Sequence, residues 1–135
     1  MKIYSFLRLS NNLRKFNFQR NYSRKIKTIT EEWYIKENNY YKIGLTNNIN
    51  DIIYIDIDDN NKFKKNEPMV IVETVKAVGE INAPFNCNII DRNNMEDIEV
   101  FNNNLEDENN WIIKIKPDEN IKNPDEIIND LKIIE

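Results

Sequence analysis

Histidine is absent from the 135 residues, and cysteine occurs once, as Cys87. Without imidazole there is no Ser-His or Cys-His triad and no side chain that naturally titrates near neutrality, and one thiol alone cannot build a Cys/His zinc site. Few routes to a free-standing enzyme survive that list. Cys87 has no disulfide partner and reads as a small buried residue in a reduced compartment. Glycine occurs only twice. One of the two, Gly44, lies inside a strand-like run, where a missing side chain marks a bulge or a close backbone approach. No apolar run approaches the length that spans a bilayer, so a soluble chain with no membrane partner is expected.

What is present suits a single domain. Apolar residues make up 40% of the chain, with two tryptophans and six each of tyrosine and phenylalanine, enough for a modest core. Asparagine occurs 25 times, which resembles the codon bias of an AT-rich genome, so runs such as 102–104 carry no weight unless their position gives it. The net charge of −4 hides an asymmetry. Residues 1–29 hold eight Lys or Arg and no acid, whereas residues 30–135 hold 11 basic and 23 acidic residues, a net of −12. A basic, acid-free leader with interspersed Phe, Leu and Ser reads as an organellar transit peptide over 1–29, ahead of a domain over 30–135. A nucleic-acid arm, with Tyr4, Phe6, Phe16, Phe18 and Tyr22 stacking on bases, is the competing reading. The acidic body would repel phosphate, so no nucleic-acid partner is expected.

Strand signals dominate the body. Residues 33–36 and 40–45 are aromatic and β-branched and read as a hairpin across Glu37, Asn38 and Asn39. Residues 52–57 follow, with Ile53, Ile55 and Ile57 expected on one face. Residues 69–72 and 79–84 form a second hairpin with Lys76 near its tip, then come strands at 88–91 and 111–116, the latter with Trp111, Ile113 and Ile115 on the core side. Asn123, Pro124 and the acids Asp125 and Glu126 announce a helix over about 124–132, packing through Ile127, Ile128 and Leu131. A weaker helical spacing joins Met95, Ile98 and Phe101. The acidic run Glu106-Asp107-Glu108 reads as a solvated loop. Short strands with turn signals between them describe a small, mostly β sandwich or barrel.

Two stretches carry chemistry on their face. Asp56, Asp58, Asn60 and Glu67 fall at positions 1, 3, 5 and 12 of an EF-hand loop, with Phe63 at the hydrophobic eighth place. Asn61 stands where the loop needs glycine and β-strands replace both flanking helices, so this is an acidic connector and no metal is expected. Lys76 is different. Small Ala77 leaves its amine accessible, and no neighbour is placed to depress its pKa for Schiff-base chemistry, which favours modification over catalysis.

The flanks of Lys76 carry a resemblance. Glu32-Trp33, Ile43-Gly44-Leu45-Thr46, Asp51-Ile52-Ile53-Tyr54-Ile55, Val72-Glu73-Thr74-Val75-Lys76-Ala77, Ile81-Asn82-Ala83-Pro84 and Trp111 to Lys116 occur in the order and approximate spacing of the glycine cleavage system H protein family, over residues 30–132. The resemblance implies a lipoyl-domain-like barrel-sandwich hybrid of two small antiparallel sheets with a C-terminal helix. It implies lipoate in amide linkage to Lys76, within the modification motif Glu73, Thr74, Val75 and Ala77, on a non-catalytic carrier. The arm would take an aminomethyl group from glycine decarboxylase (P protein) and pass its carbon unit on at the aminomethyltransferase (T protein). Dihydrolipoamide dehydrogenase (L protein) would reoxidise it. A lipoate ligase, or an octanoyl transferase with lipoyl synthase, would install it. Leader and family together imply the mitochondrial matrix.

By position, Thr30, Glu32 and Glu80 match the family's polar cleft for the loaded arm. The departures are a missing histidine in Thr46-Asn47-Asn48-Ile49, a shortened loop to Asp51, Cys87 in place of one family glycine, and Asn109 and Asn110 in place of others. Two alternatives stay open beside carriage in glycine cleavage: a lipoate-relay or scaffold protein in protein lipoylation, and an unmodified barrel-sandwich binding module. A biotin carrier is disfavoured, because Val75 and Ala77 replace the methionines that flank biotinyl-lysine.

Overall fold

Aromatic and β-branched residues crowd both sides of Asn38-Asn39, and this break lets the chain reverse: Asn38 adopts a left-handed φ of 55° that few other side chains tolerate. The computed structural model describes residues 24–133, and the segment 1–23, most of the expected leader, lies outside the described residues. Strand β1 (Ile26–Lys27) pairs with β2 (Glu32–Glu37), which forms the hairpin with β3 (Tyr40–Leu45). After β4 (Ile52–Ile57) and the short β5 (Lys62–Phe63), the second hairpin is β6 (Pro68–Thr74) and β7 (Val78–Asn82). Then come β8 (Cys87–Arg92), α1 (Ile98–Asn103), a single 3₁₀ turn at Glu108–Asn110, β9 (Ile113–Pro117) and α2 (Pro124–Asp130).

Every strand pairing among the described residues is antiparallel. A six-stranded sheet in the order β1-β2-β3-β9-β8-β5 faces a three-stranded sheet in the order β4-β6-β7. Ile43, Ile113 and Ile115 from the large sheet meet Met69, Val70 and Ile81 from the small one in a shared core, closed by Phe85, Phe101 and Ile128. This is the mostly β, two-sheet barrel-sandwich with a C-terminal helix that the sequence leads one to expect.

Gly44 is a close-approach glycine. Directly opposite it in register lies Trp33, and a Cβ on Gly44 would stand 2.3 Å from the indole carbons Cε2 and Cζ2. The indole therefore lies against the glycine, with Nε1 donating to the Leu105 carbonyl at 2.9 Å.

Several expectations are corrected. Ile52 pairs with Thr74 and Tyr54 with Glu73, so Ile53 falls in a β-bulge. The bulge turns Ile52 into the core and leaves Ile53 54% exposed, breaking the expected face of Ile53, Ile55 and Ile57. Asn102 is not background: its side-chain amide accepts from the Ile52 amide at 3.0 Å and donates to the Ile52 carbonyl at 2.9 Å, satisfying the bulged edge. On the last strand Ile113 and Ile115 are buried as expected, but Ile112 is buried too and Trp111 is only half-buried beneath the Lys114 ammonium. Helix α2 ends at Asp130, short of 132, because Lys132 leaves it to bridge Thr28.

Glu106 is no solvated loop residue. Its carboxylate pairs with Lys27 at 2.7 Å and accepts the Asn47 amide at 2.8 Å, while its backbone carbonyl takes the Lys25 ammonium. These contacts hold β1 against the sheet, so the last residues before position 29 pack with the body. The folded unit already includes Ile26 to Thr28. The EF-hand-like loop is occupied by a side chain. Arg92 donates to the carbonyls of Asp58 and Asn60, each at 2.7 Å through Nη2.

Candidate functional site

The β6–β7 hairpin is closed by a threonine. The Thr74 hydroxyl accepts the amides of Lys76 at 3.3 Å and Ala77 at 3.1 Å and donates to the Ala77 carbonyl at 3.1 Å, an ST-turn that fixes the reversal with one side chain. A further bond, from the Val75 amide to the Asp51 carbonyl at 3.1 Å, ties the tip to the start of β4. Lys76 stands exposed at this tip. Its flanks Val75 and Val78 are 70% and 66% exposed, an apolar surface that intramolecular packing does not use. Glu73 is exposed on the same small sheet, in register with Tyr54 on one side and Val78 on the other.

Beneath the tip a cleft of about 610 Å³ runs between the two sheets. Lys76, Thr30, Glu32 and Glu80 all line it, together with Asn48, Asp51 and apolar Leu45, Val72 and Ile81. Glu80 is exposed, in register with Ile71, whereas Glu32 is 5% exposed. Glu32 Oε1 accepts two hydroxyls, Thr30 at 2.7 Å and Thr28 at 2.8 Å. Burial pushes the carboxyl up from its ordinary range, the Thr30 and Thr28 hydrogen bonds oppose this, and the charge of Glu31 adds to it. The net shift is upward.

Neighbouring Glu31 has the opposite task. Held at a left-handed φ of 71°, it turns away from Glu32 and accepts Thr46 Oγ1 at 3.3 Å and Asn48 Nδ2 at 3.2 Å, tying the β3–β4 loop to the cleft. Sequence reasoning missed Thr28 because the boundary drawn at residue 29 assigned it to the leader. The available signal was its placement: hydroxyls two and four residues before a glutamate that opens a strand.

Volume does not mark the site. A larger recess of about 850 Å³ between β1–β3 and α2 includes Tyr40, Tyr41, Lys36 and Asp125, whose polar groups already meet one another. Tyr41 Oη and Lys36 Nζ both donate to Asp125, and Tyr40 Oη donates to Glu37. Burial and then the Asp125 hydrogen bond push the Tyr41 phenol far above its ordinary value. Cys87 is buried in β8 with its sulfur 4.0 Å from that of Met69, and burial pushes its thiol up to about 12. Among the described residues no group of three or more His, Cys, Asp or Glu could hold a metal ion, and no helix is long and apolar enough to cross a membrane.

Residues 24–134 match the family model described as glycine cleavage H-protein. The glycine cleavage system H protein of Bacillus licheniformis is 32% identical, the alignment covering 64% of this chain and 72% of the relative. That of Thermotoga maritima is 30% identical over 66% of this chain and 77% of its own. The probable H protein of Picrophilus torridus is 29% identical over 66% and 76%. A crystal structure of the H protein of Mycobacterium marinum superposes with a TM-score of 0.57 at 17% identity, covering 70% of this chain and 84% of that one, a likeness of fold.

These relatives correct the mitochondrial matrix address. They come from bacteria and an archaeon, cells without mitochondria, so membership of the family supplies no organellar address, and the basic charge of the first 29 residues does not establish one.

Proposed function

The chain belongs to the glycine cleavage H-protein family, whose members are non-catalytic carrier subunits, and we propose that it carries lipoate in amide linkage to Lys76. The observation behind this is one juxtaposition: an exposed lysine on a tied hairpin tip shares a cleft with a buried carboxylate. The cleft suits a flexible arm, with Leu45, Val72 and Ile81 as apolar wall and Glu32 as its charged end. Attached lipoate would supply a strained disulfide whose S–S bond opens as one sulfur takes the aminomethyl group at glycine decarboxylase and the other becomes a thiol, the dithiol left after the aminomethyltransferase being reoxidised by dihydrolipoamide dehydrogenase.

This chain's own residues do the rest. Lys76 anchors and performs no proton transfer, because amide formation replaces its ammonium by a neutral link. Thr74 keeps the tip in one conformation, and Glu73, Val75 and Ala77 form the surface around the lysine that a lipoate ligase, or an octanoyl transferase with lipoyl synthase, would grip. Glu32, ionised, accepts a hydrogen bond from a protonated amine. Glu80 and Thr30 add polar groups at the rim. Tethering replaces diffusion by a high local concentration at each partner site.

Intact mass after co-expression with a lipoate ligase and lipoate tests this. A lipoyl increment that vanishes in Lys76→Ala supports it, and an unmodified chain under a competent ligase removes it. Lys76 is exposed, so Lys76→Ala should change stability by less than about 0.5 kcal/mol. A second reading, lipoate relay, draws on Asn48, an amide in the cleft where the family carries its histidine. Glycine-dependent loading by glycine decarboxylase separates the two, since a relay protein would accept lipoate and fail to load.

A further inference from the structure

Thr28 lies outside every motif named so far, yet it is fully buried, with 0% exposure, and touches the one buried acid of the cleft. Its backbone is held on both sides: its amide donates to the Glu32 carbonyl at 2.8 Å, its carbonyl accepts the Glu31 amide at 3.1 Å, and it bridges Lys132 on the other edge. Its hydroxyl accepts the Glu32 amide at 3.2 Å. With a lone pair so engaged, the hydroxyl proton points to Glu32 Oε1 at 2.8 Å in preference to the longer alternatives, the Thr30 hydroxyl at 3.2 Å and the Glu32 carbonyl at 3.3 Å.

Thr30 donates to the same oxygen at 2.7 Å. Both donors thus converge on Oε1, and Oε2 has no hydrogen-bond partner among the described residues. A carboxylate on a side chain only 5% exposed, with one oxygen doubly bonded by hydroxyls and the other open, is a receptor with a single direction.

We propose that Thr28 is a positioning residue of the cleft: with Thr30 it fixes Glu32 Oε1 from the closed side and leaves Oε2 as the acceptor for a protonated amine brought by the arm on Lys76. This rests on the carrier reading, because the receptor has a purpose only if an arm delivers the amine. Thr30 is exposed at the rim and its hydroxyl can exchange Glu32 for water. Thr28 cannot, so it is the permanent member of the pair. Glu31 from the same turn acts on Glu32 by its charge although its side chain points elsewhere, and the other charged groups lining the cleft are Asp51 from the start of β4 and Lys76 and Glu80 from the second hairpin. The hydroxyls therefore counter both burial and the like charge of Glu31 in holding Glu32 ionised.

The test is a ¹³C NMR titration of the Glu32 carboxyl in the full chain, before and after lipoylation. Thr28→Val keeps the β-branched shape and removes the donor, and should raise the titration midpoint by about one pH unit, from the strength of a hydrogen bond to a charged group. Thr28→Ser should restore it, which a purely packing role would not predict. An unchanged midpoint in a folded Thr28→Val overturns the proposal. If that variant does not fold, the buried Thr28 hydroxyl proton is followed in the unaltered chain. Its resonance should move with the Glu32 titration, and a fixed resonance overturns the proposal equally. Loss of the lipoyl increment at Lys76 would instead overturn the carrier reading while leaving the titration result intact.

Discussion

Two threonine-closed turns face each other across the cleft, and they differ in what surrounds them. The β6–β7 tip is closed by Thr74, exposes both flanking valines and holds its lysine in solvent. The β1–β2 turn uses Thr28 and Thr30, buries its glutamate and leads into a strand whose opposite face is packed by Trp33 on Gly44. The same hydroxyl chemistry thus presents a cationic side chain at one turn and confines an anionic one at the other. What separates them is the backing. A surface hairpin can be fixed by its own hydrogen bonds, whereas a buried carboxylate needs a packed wall to keep water from substituting for its partners.

The sharpest way to break that contrast is to remove the wall. Gly44→Ala places a methyl group where the Trp33 indole lies, with no flexible chain end to give way, and should cost about 3 kcal/mol or more. Denaturant unfolding measures the loss. Hydrogen exchange should accelerate at the Glu31 and Glu32 amides well before it does at Lys76 and Ala77. Equal acceleration at both turns would mean that they share one wall. Thr74→Val sharpens the comparison from the other side, with a smaller effect. It leaves the Lys76 and Ala77 amides to water, so the cost should be about 1 kcal/mol, with faster exchange confined to the tip and the Glu32 titration unmoved.

Legibility in the sequence follows the same division. The tip could be read directly, since β-branched runs, a small residue after the lysine and Ala83-Pro84 all act within a few residues of Lys76. Gly44 was legible as a close approach, but its partner was not, because Trp33 reaches it only through the register of β2 with β3. The cleft was legible in Thr30, Glu32 and Glu80 through the family resemblance alone. Thr28 was hidden by charge: residues 24, 25 and 27 are basic and extend the acid-free run, while the contacts that fold them in, from Glu106 and Lys132, come from about 80 and 100 residues away. Local composition grouped residues 24–28 with the basic run, and tertiary pairing packs 25–28 against the body. Ile53 failed for the parallel reason that a bulge is a decision of two strands.

The smallest expected effects come from pH, and they separate the two carboxylates that frame the buried turn. Burial raises the Glu32 carboxyl and its threonine bonds only partly offset this, so the folded state binds that proton more tightly than the unfolded chain. Its stabilising effect is full below the ordinary value of 4.5 and is lost as pH rises through the raised value. Glu106 runs the other way. Burial raises it, but hydrogen bonds from Lys27 and the Asn47 amide, with the charges of Lys27 and Lys25, outweigh burial and hold it below 4.5. Its contribution is present above 4.5 and is lost as pH falls through the lowered value. Lys27 is 46% exposed, so solvent screening keeps this term below about 1 kcal/mol. On acidification, then, the melting temperature should first gain from Glu32 and then lose from Glu106. Glu32→Gln should flatten the first limb and Glu106→Gln the second. Because Glu106 latches β1 through Lys25 and Lys27, the acid limb should also loosen the amides of Thr28 and Glu31 while those of Thr74 and Ala77 keep their protection. Protection lost at both turns together would place the acid effect in the shared core, away from the latch.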